Sequence, residues 1–147
     1  MRGRVPGFSL LELLVVMAVI SLVLSLAVPR LSASLEGMAL KHTSRELALA
    51  LKHLHRQAIR RGQVAELLLY LDRHEYALGQ QGKRHALPRD IHITLTTGAS
   101  EQVDAATGAV RFYADGSASG GEIRLAQGGR DTAIQINWLT GRVVVHD

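Results

Sequence analysis

Gly7-Phe8-Ser9-Leu10-Leu11-Glu12 opens an apolar run that continues to Val28. From Phe8 to Val28 there are 21 residues, and Glu12 is the only ionisable side chain among them. A helix rises about 1.5 Å per residue, so the run spans roughly 30 Å, close to one bilayer hydrocarbon core. A carboxylate inside such a span costs on the order of 2–3 kcal/mol at its centre and less near its edge. An acid kept there despite that cost marks Glu12 as a candidate functional residue. Two simpler readings compete. In the first, Arg2 and Arg4 head a secretory signal peptide with Ser25-Leu26-Ala27 as its cleavage site. The run is longer than the roughly 7–15 apolar residues of such signals, and it contains Glu12. In the second, the run is a plain single-span anchor, which explains its length but neither Glu12 nor the Gly7-Phe8 junction.

The rest of the chain is bounded by its composition. Of 147 residues, about 119 remain beyond the leader and span, enough for one stem and one modest core. There are no cysteines, which excludes disulfides, thiol catalysis and thiolate metal sites. The net charge of +4 is unevenly placed. Residues 30–61 carry seven Lys or Arg against Glu36 and Glu46, a local +5, whereas residues 62–147 carry eight basic and ten acidic side chains, a local −2. The basic character belongs to the stem, where it suits anionic headgroups or acidic grooves on neighbouring subunits. A nucleic-acid-binding head would concentrate positive charge on one of its own faces. Arg2 and Arg4 are matched by Arg30 and Lys41, so the positive-inside rule does not orient the span.

After Pro29 the spacing predicts a continued amphipathic helix to Arg61. Leu40, Leu47, Leu51, Leu54 and Ala58 recur on one face, and Gly62 is the stop signal. From Leu47 onward this stripe is expected to pack on a globular domain, and Leu31 to Leu40 to meet neighbouring subunits. Short strands follow: residues 65–71 and 74–78 as a hairpin, then 91–96, 109–113, 122–125, 133–137 and 142–145. The Gly98–Gly108 loop lacks aromatic anchors and is expected to be mobile. The fold class is α+β, one long N-terminal helix packed on an antiparallel all-β head.

A basic leader ending in Gly7, then Phe8, an acid five residues past the junction and a long apolar helix together resemble type IV prepilin-like proteins. The resemblance implies a division into leader 1–7, transmembrane helix 8–29, stem helix 30–61 and periplasmic head 62–147. It implies that prepilin peptidase cuts between Gly7 and Phe8 on the cytoplasmic side, and that the new Phe8 amine is N-methylated. Glu12 would then set filament register by neutralising a neighbour's N-terminal amine, a pairing that a low-dielectric bundle favours because an unpaired charge there is expensive. Pro29 falls where such proteins carry a helix-bending proline.

A second resemblance lies in the head. The segment Phe112-Tyr113-Ala114-Asp115-Gly116-Ser117-Ala118-Ser119-Gly120-Gly121-Glu122-Ile123, followed by Asn137-Trp138-Leu139-Thr140-Gly141-Arg142-Val143, is similar to the pseudopilin H family of type II secretion systems. That family implies a non-enzymatic subunit of the periplasmic pseudopilus, placed near its tip and serving export of folded proteins. The implied partners are prepilin peptidase, the major pseudopilin, other minor pseudopilins, inner-membrane lipid with the assembly platform, and secreted exoproteins. The implied location is the bacterial inner membrane, crossed once, with the C-terminal head in the periplasm. The same head type includes FimT-like minor pilins of type IV pili, which act in assembly, adhesion or DNA uptake. The ending Val143-Val144-Val145-His146-Asp147, with Arg142 alone nearby, weighs against DNA as a partner.

The head motifs also have a purely structural reading. Asp115-Gly116 and Gly120-Gly121 suit turns with positive φ, Ser117 and Ser119 can bond turn backbone, and Thr140-Gly141 suits a hairpin turn with Trp138 as a core or sheet anchor. A phosphate cradle would need a following helix with its lysine, and a nucleophile elbow would need serine where Ala118 stands. His53 and His55 are two apart and point to different helix faces. His42, His74, His85, His92 and His146 show no ligand spacing and read as surface or interface residues. Glu66, Asp72 and Glu75 read as solvated. No catalytic constellation emerges, so no catalytic residue, metal or cofactor is expected, and the protein is not expected to be an enzyme.

Overall fold

Ser9 starts the helix as its N-cap. Its carbonyl accepts the amides of Glu12 at 3.0 Å and Leu13 at 3.2 Å, and its hydroxyl lies 3.4 Å from the Glu12 amide. These contacts satisfy donors that a helix start leaves open. The chain then continues as one helix, α1 (Leu10–Arg61), of 52 residues, with Pro29 inside it. The computed structural model describes residues 9–98 and 106–146, with side chains for 9–25, 37–98 and 106–146. The leader and the Gly7–Phe8 junction lie outside the described residues. Two compact units divide the chain, Met1–Leu35 and Glu36–Asp147.

The helix ends where glycine was expected to end it. Gly62 takes φ +63°, and the Gln63 amide reaches back to the Ala58 carbonyl at 3.3 Å. This closure occupies a carbonyl the helix end would leave open, and Arg60 and Arg61 in the last turn complement its negative pole.

Among the described residues, eight antiparallel strands follow in two four-stranded sheets. One sheet has the order β3-β2-β1-β5, built from β1 (Ala65–Tyr70), β2 (Glu75–Leu78), β3 (Arg84–Ala86) and β5 (Thr107–Phe112). The other has the order β4-β6-β7-β8, built from β4 (His92–Thr96), β6 (Gly121–Gln127), β7 (Arg130–Ile136) and β8 (Val143–His146). The expected β1–β2 hairpin pairs Leu67 with Leu78 and Tyr70 with Glu75. His74 precedes β2 rather than joining it, because its φ of 52° is turn geometry. β3 was not foreseen: three residues, Arg-His-Ala, carry no legible alternation. In the loop expected to be mobile, residues 99–105 lie outside the described residues.

Leu47, Leu51, Leu54 and Ala58 are buried against the inner faces of both sheets, with Leu67, Leu69, Val110, Phe112, Ile123, Leu125 and Ile134. Cross-strand registers such as Leu95 with Ile123 and Ile123 with Ile134 stack these side chains. Leu40 corrects one expectation. It is buried in this same core rather than left for a neighbouring subunit, because the stripe keeps its face for two turns above Leu47.

The core makes a sharp contrast along one helix. Leu51 is fully buried, and deleting its methyls should cost about 2–5 kcal/mol. Leu49, two residues away and 63% exposed, should cost within about 0.5 kcal/mol on the same change. Denaturant unfolding of full-length Leu51→Ala and Leu49→Ala in mild detergent checks both values.

Candidate functional site

The sequence places function in the first turns of α1, and Glu12 is the one member of the Gly7, Phe8, Glu12 set among the described residues. It sits in the first helical turn, at the third helical position after Ser9, so Ser9-Leu10-Leu11-Glu12 has the spacing of a capping box. A carboxylate there also faces the positive pole of the helix, worth about 0.3–1 kcal/mol at an exposed site. The Ser-x-x-Glu spacing, visible in the sequence, thus suits Glu12 to a local role at the helix start that the span-and-acid reading missed. That gain is smaller than the cost of desolvating a charge, so capping alone does not explain an acid inside an apolar run.

Around Glu12, Leu10, Leu11, Leu13, Leu14, Val15, Val16, Met17 and their successors to Leu24 are exposed on every side of the helix. The polar groups in this stretch are turned inward: Ser21 Oγ donates to the Met17 carbonyl at 2.8 Å and Ser25 Oγ to the Leu22 carbonyl at 2.7 Å. Serines that satisfy themselves on their own helix leave an all-round apolar surface, the surface of a segment covered by lipid or other helices. Among the described residues no helix is long and apolar enough to cross a membrane. The run read from sequence, Phe8–Val28, passes beyond the described side chains after Ser25.

The head motifs are built as turns. Asp115 Oδ1 accepts the Ser117 amide at 2.9 Å and its hydroxyl at 2.6 Å, which holds the carboxyl below the usual carboxylate range. Ser119 Oγ accepts the Arg111 amide at 3.1 Å. Asn137 Oδ1 caps the β7–β8 turn by accepting the amides of Leu139 and Thr140, each at 3.0 Å. Gly116, Gly120 and Gly121 have positive φ, as expected, and so does Gly141. Gly141 has a second reason to be glycine, since a Cβ there would run into the His55 ring and the Gly116 carbonyl. His55 Nε2–H donates to that carbonyl at 2.9 Å, tying α1 to the β5–β6 loop beneath the β7–β8 turn. His53, two residues earlier, is exposed, so the two imidazoles do face apart.

Trp138 is a correction. It is 66% exposed on the β7–β8 turn, and its backbone carbonyl rather than its ring makes the anchor, accepting the Ala118 amide at 2.8 Å. The strand ends at Ile136, so Asn137 begins the turn and the indole leaves the sheet surface. Glu66 is a second correction. It is not solvated but pairs with Arg111 at 3.1 Å, directly opposite on β5, with its side chain 16% exposed.

One titratable contact fastens the stem to the head. The Tyr76 hydroxyl donates to Glu46 Oε1 at 2.8 Å, and His85 stacks on the Tyr76 ring at 5.0 Å. Burial first, then the bond to Glu46 and its negative charge, hold the phenol well above its ordinary value. Among the described residues no group of three His, Cys, Asp or Glu could hold a metal ion.

An antiparallel two-sheet head carried on one long helix, whose apolar start bears a single acid, defines a pilin-like protein. The chain matches the family model for Type II transport protein GspH over residues 43–141 and the prokaryotic N-terminal methylation motif over residues 2–28. Type II secretion system protein H of Xanthomonas campestris pv. campestris is 32% identical over 143 residues, covering 97% of this chain and 83% of that protein. The chain belongs to the GspH family and is a minor pseudopilin of type II secretion. Pseudopilins are membrane-anchored through the N-terminal region, and the methylation motif implies processing by prepilin peptidase and assembly with other pseudopilins.

Two solved structures share the fold. The type IV minor pilin FimU of Pseudomonas aeruginosa superposes with a TM-score of 0.58 at 15% identity, covering 76% of this chain and 91% of that one. The minor pseudopilin EpsH from the Type 2 Secretion System of Vibrio cholerae gives 0.57 at 11% identity, covering 73% and 95%. The fold alone does not separate pilus from pseudopilus, since both match equally well. The sequence relationship does.

The Tyr76 contact gives a pH dependence with a definite sign. The folded state holds the phenolic proton more tightly than the unfolded chain, whose tyrosine ionises near 10. The stability this contributes is complete below about pH 10 and is lost as pH rises towards the folded-state value. Thermal unfolding of the full chain should therefore lose stability above about pH 10, and Tyr76→Phe should flatten that part of the profile. An unchanged profile in Tyr76→Phe would contradict it.

Proposed function

We propose that the chain is cut between Gly7 and Phe8, that the freed Phe8 amine is N-methylated, and that Glu12 registers the subunit in the pseudopilus by pairing with a neighbour's N-terminal amine. In this reading residues 8–29 cross the inner membrane once, 30–61 form the stem, and 62–147 stand as a head in the periplasm near the pseudopilus tip. The action is mechanical, and the chain carries out no chemistry of its own. Its contacts are prepilin peptidase, the major and other minor pseudopilins, the assembly platform and exported proteins, and not DNA. The observation that carries this proposal is the single acid in the first stretch of α1, Leu10–Leu24, where the large apolar side chains are all exposed.

The physics supports an assembly role more than an anchoring one. An anchor needs only the apolar length, and Glu12 lowers its affinity for lipid. A methylated amine on the adjacent subunit compensates that charge and sets the depth at which two helices meet, because either charge alone is penalised in the bundle. A pilus reading draws on the likeness to FimU, which extends to the fold and no further.

Glu12→Ala should leave membrane insertion and leader removal intact while lowering incorporation into pseudopili by about tenfold or more, the ratio that ~1.4 kcal/mol produces. Quantifying the variant in sheared pseudopili against total membrane protein measures this. Incorporation equal to the natural sequence would remove Glu12 from the assembly contact.

A further inference from the structure

The face of α1 opposite the head core is an ordered seam. Met38, His42, Arg45, Leu49, Lys52, Arg56 and Ile59 step along the helix by alternating four and three residues, the spacing that keeps a line of side chains facing one partner helix. All seven are exposed, including Met38 at 67%, Leu49 at 63% and Ile59 at 48%. The three apolar members are separated each time by two basic or titratable ones. Lys41, His53 and Arg60 flank the line and are exposed as well. Met38, Lys41, His42, Arg45, Glu46 and Leu49 border a shallow, mostly apolar groove at its upper end.

Charge on this face is one-sided. Residues 37–60 hold Lys41, Arg45, Lys52, Arg56 and Arg60 against a single acid, Glu46. That carboxylate is drawn off to the flank, where it accepts the Tyr76 hydroxyl at 2.8 Å and lies 4.0 Å from His42 Nδ1. The apolar side chains at intervals of ten or eleven residues are not needed for solubility, and among the described residues Arg45, Lys52 and Arg56 outnumber the one acid of this stretch.

We infer that this seam docks an acidic amphipathic helix of a neighbouring, different pseudopilin, with its apolar side chains between Met38, Leu49 and Ile59 and its Asp or Glu against Arg45, Lys52 and Arg56. The inference rests on the pseudopilin reading and names the chemistry of a partner for it. Charge complementarity selects the occupant. A second copy of this helix would set cations against cations, and like charges at this spacing repel. A lipid surface calls for a wide apolar face, but the wide apolar face of this helix is already buried in the head core, and three isolated apolar residues do not replace it. A helix with acids at three- and four-residue spacing satisfies both halves of the pattern. Individual exposed pairs are weak, so the selectivity comes from the register of all seven positions.

The test places the photoreactive residue p-benzoylphenylalanine at position 49 of the full-length chain, in cells with the secretion system operating, and sequences the cross-linked peptide. The expected adduct lies on a helical segment of another pseudopilin that carries Asp or Glu three or four residues to either side. In the same background Lys52→Glu with Arg56→Glu should reduce that adduct at least tenfold, and reversing the charges of the partner's acids should restore it. An adduct on lipid, nucleic acid, a second copy of this chain or a segment without acids overturns the inference, as does the absence of any adduct or its indifference to charge reversal. The adduct can be read whether or not the leader has been removed. Failure of this inference is therefore distinct from failure of the processing proposed above.

Discussion

Twelve large apolar side chains between Leu10 and Leu24 are exposed. Leaving them in water would forgo on the order of 10–20 kcal/mol of burial. That is as large as the whole stability of a typical domain. This stretch must therefore be buried in something else, and every functional feature of the protein follows from what that is. Against lipid alone the segment would do better without Glu12. In the assembly proposed above, a neighbour's charged amine would offset that cost, and Glu12 would be the residue that fixes the subunit's register.

Below that segment the same helix faces two ways. One stripe, from Leu40 to Ala58, closes the core over two antiparallel sheets, and in a chain without cysteine that packing carries the head's stability. The opposite stripe stays open and alternates apolar with basic side chains. The Tyr76–Glu46 and His55–Gly116 bonds sit on the flanks between the two, so the head is fastened to the helix without occupying the open seam. A subunit of this design presents its neighbours with helix surface, while the head offers turns stiffened by Asp115 and Asn137.

How much of this was readable in advance depended on whether a feature is local. Gly62 ending the helix, the stripe at Leu47, Leu51, Leu54 and Ala58, and the β1–β2 hairpin depend on neighbouring residues, and the structure has all of them. Leu40 was misplaced because periodicity identifies a face but not how far along it the head reaches. Glu66 reads as solvated in the sequence because its partner, Arg111, lies 45 residues away and becomes opposite only through the β1–β5 register. Residue type points to Trp138 as a core or sheet anchor, whereas the end of β7 at Ile136 decides its exposure. The cationic residues of the stem were visible as a net charge. Their alignment with Met38, Leu49 and Ile59 became meaningful once the opposite face was seen to be covered.

The account stands on the first residue of the mature protein. The intact mass and N-terminal sequence of the protein extracted from membranes should show a chain beginning at Phe8 and carrying one added methyl group on its amine. A retained leader, a chain beginning after Ala27, or an unmodified amine would contradict it.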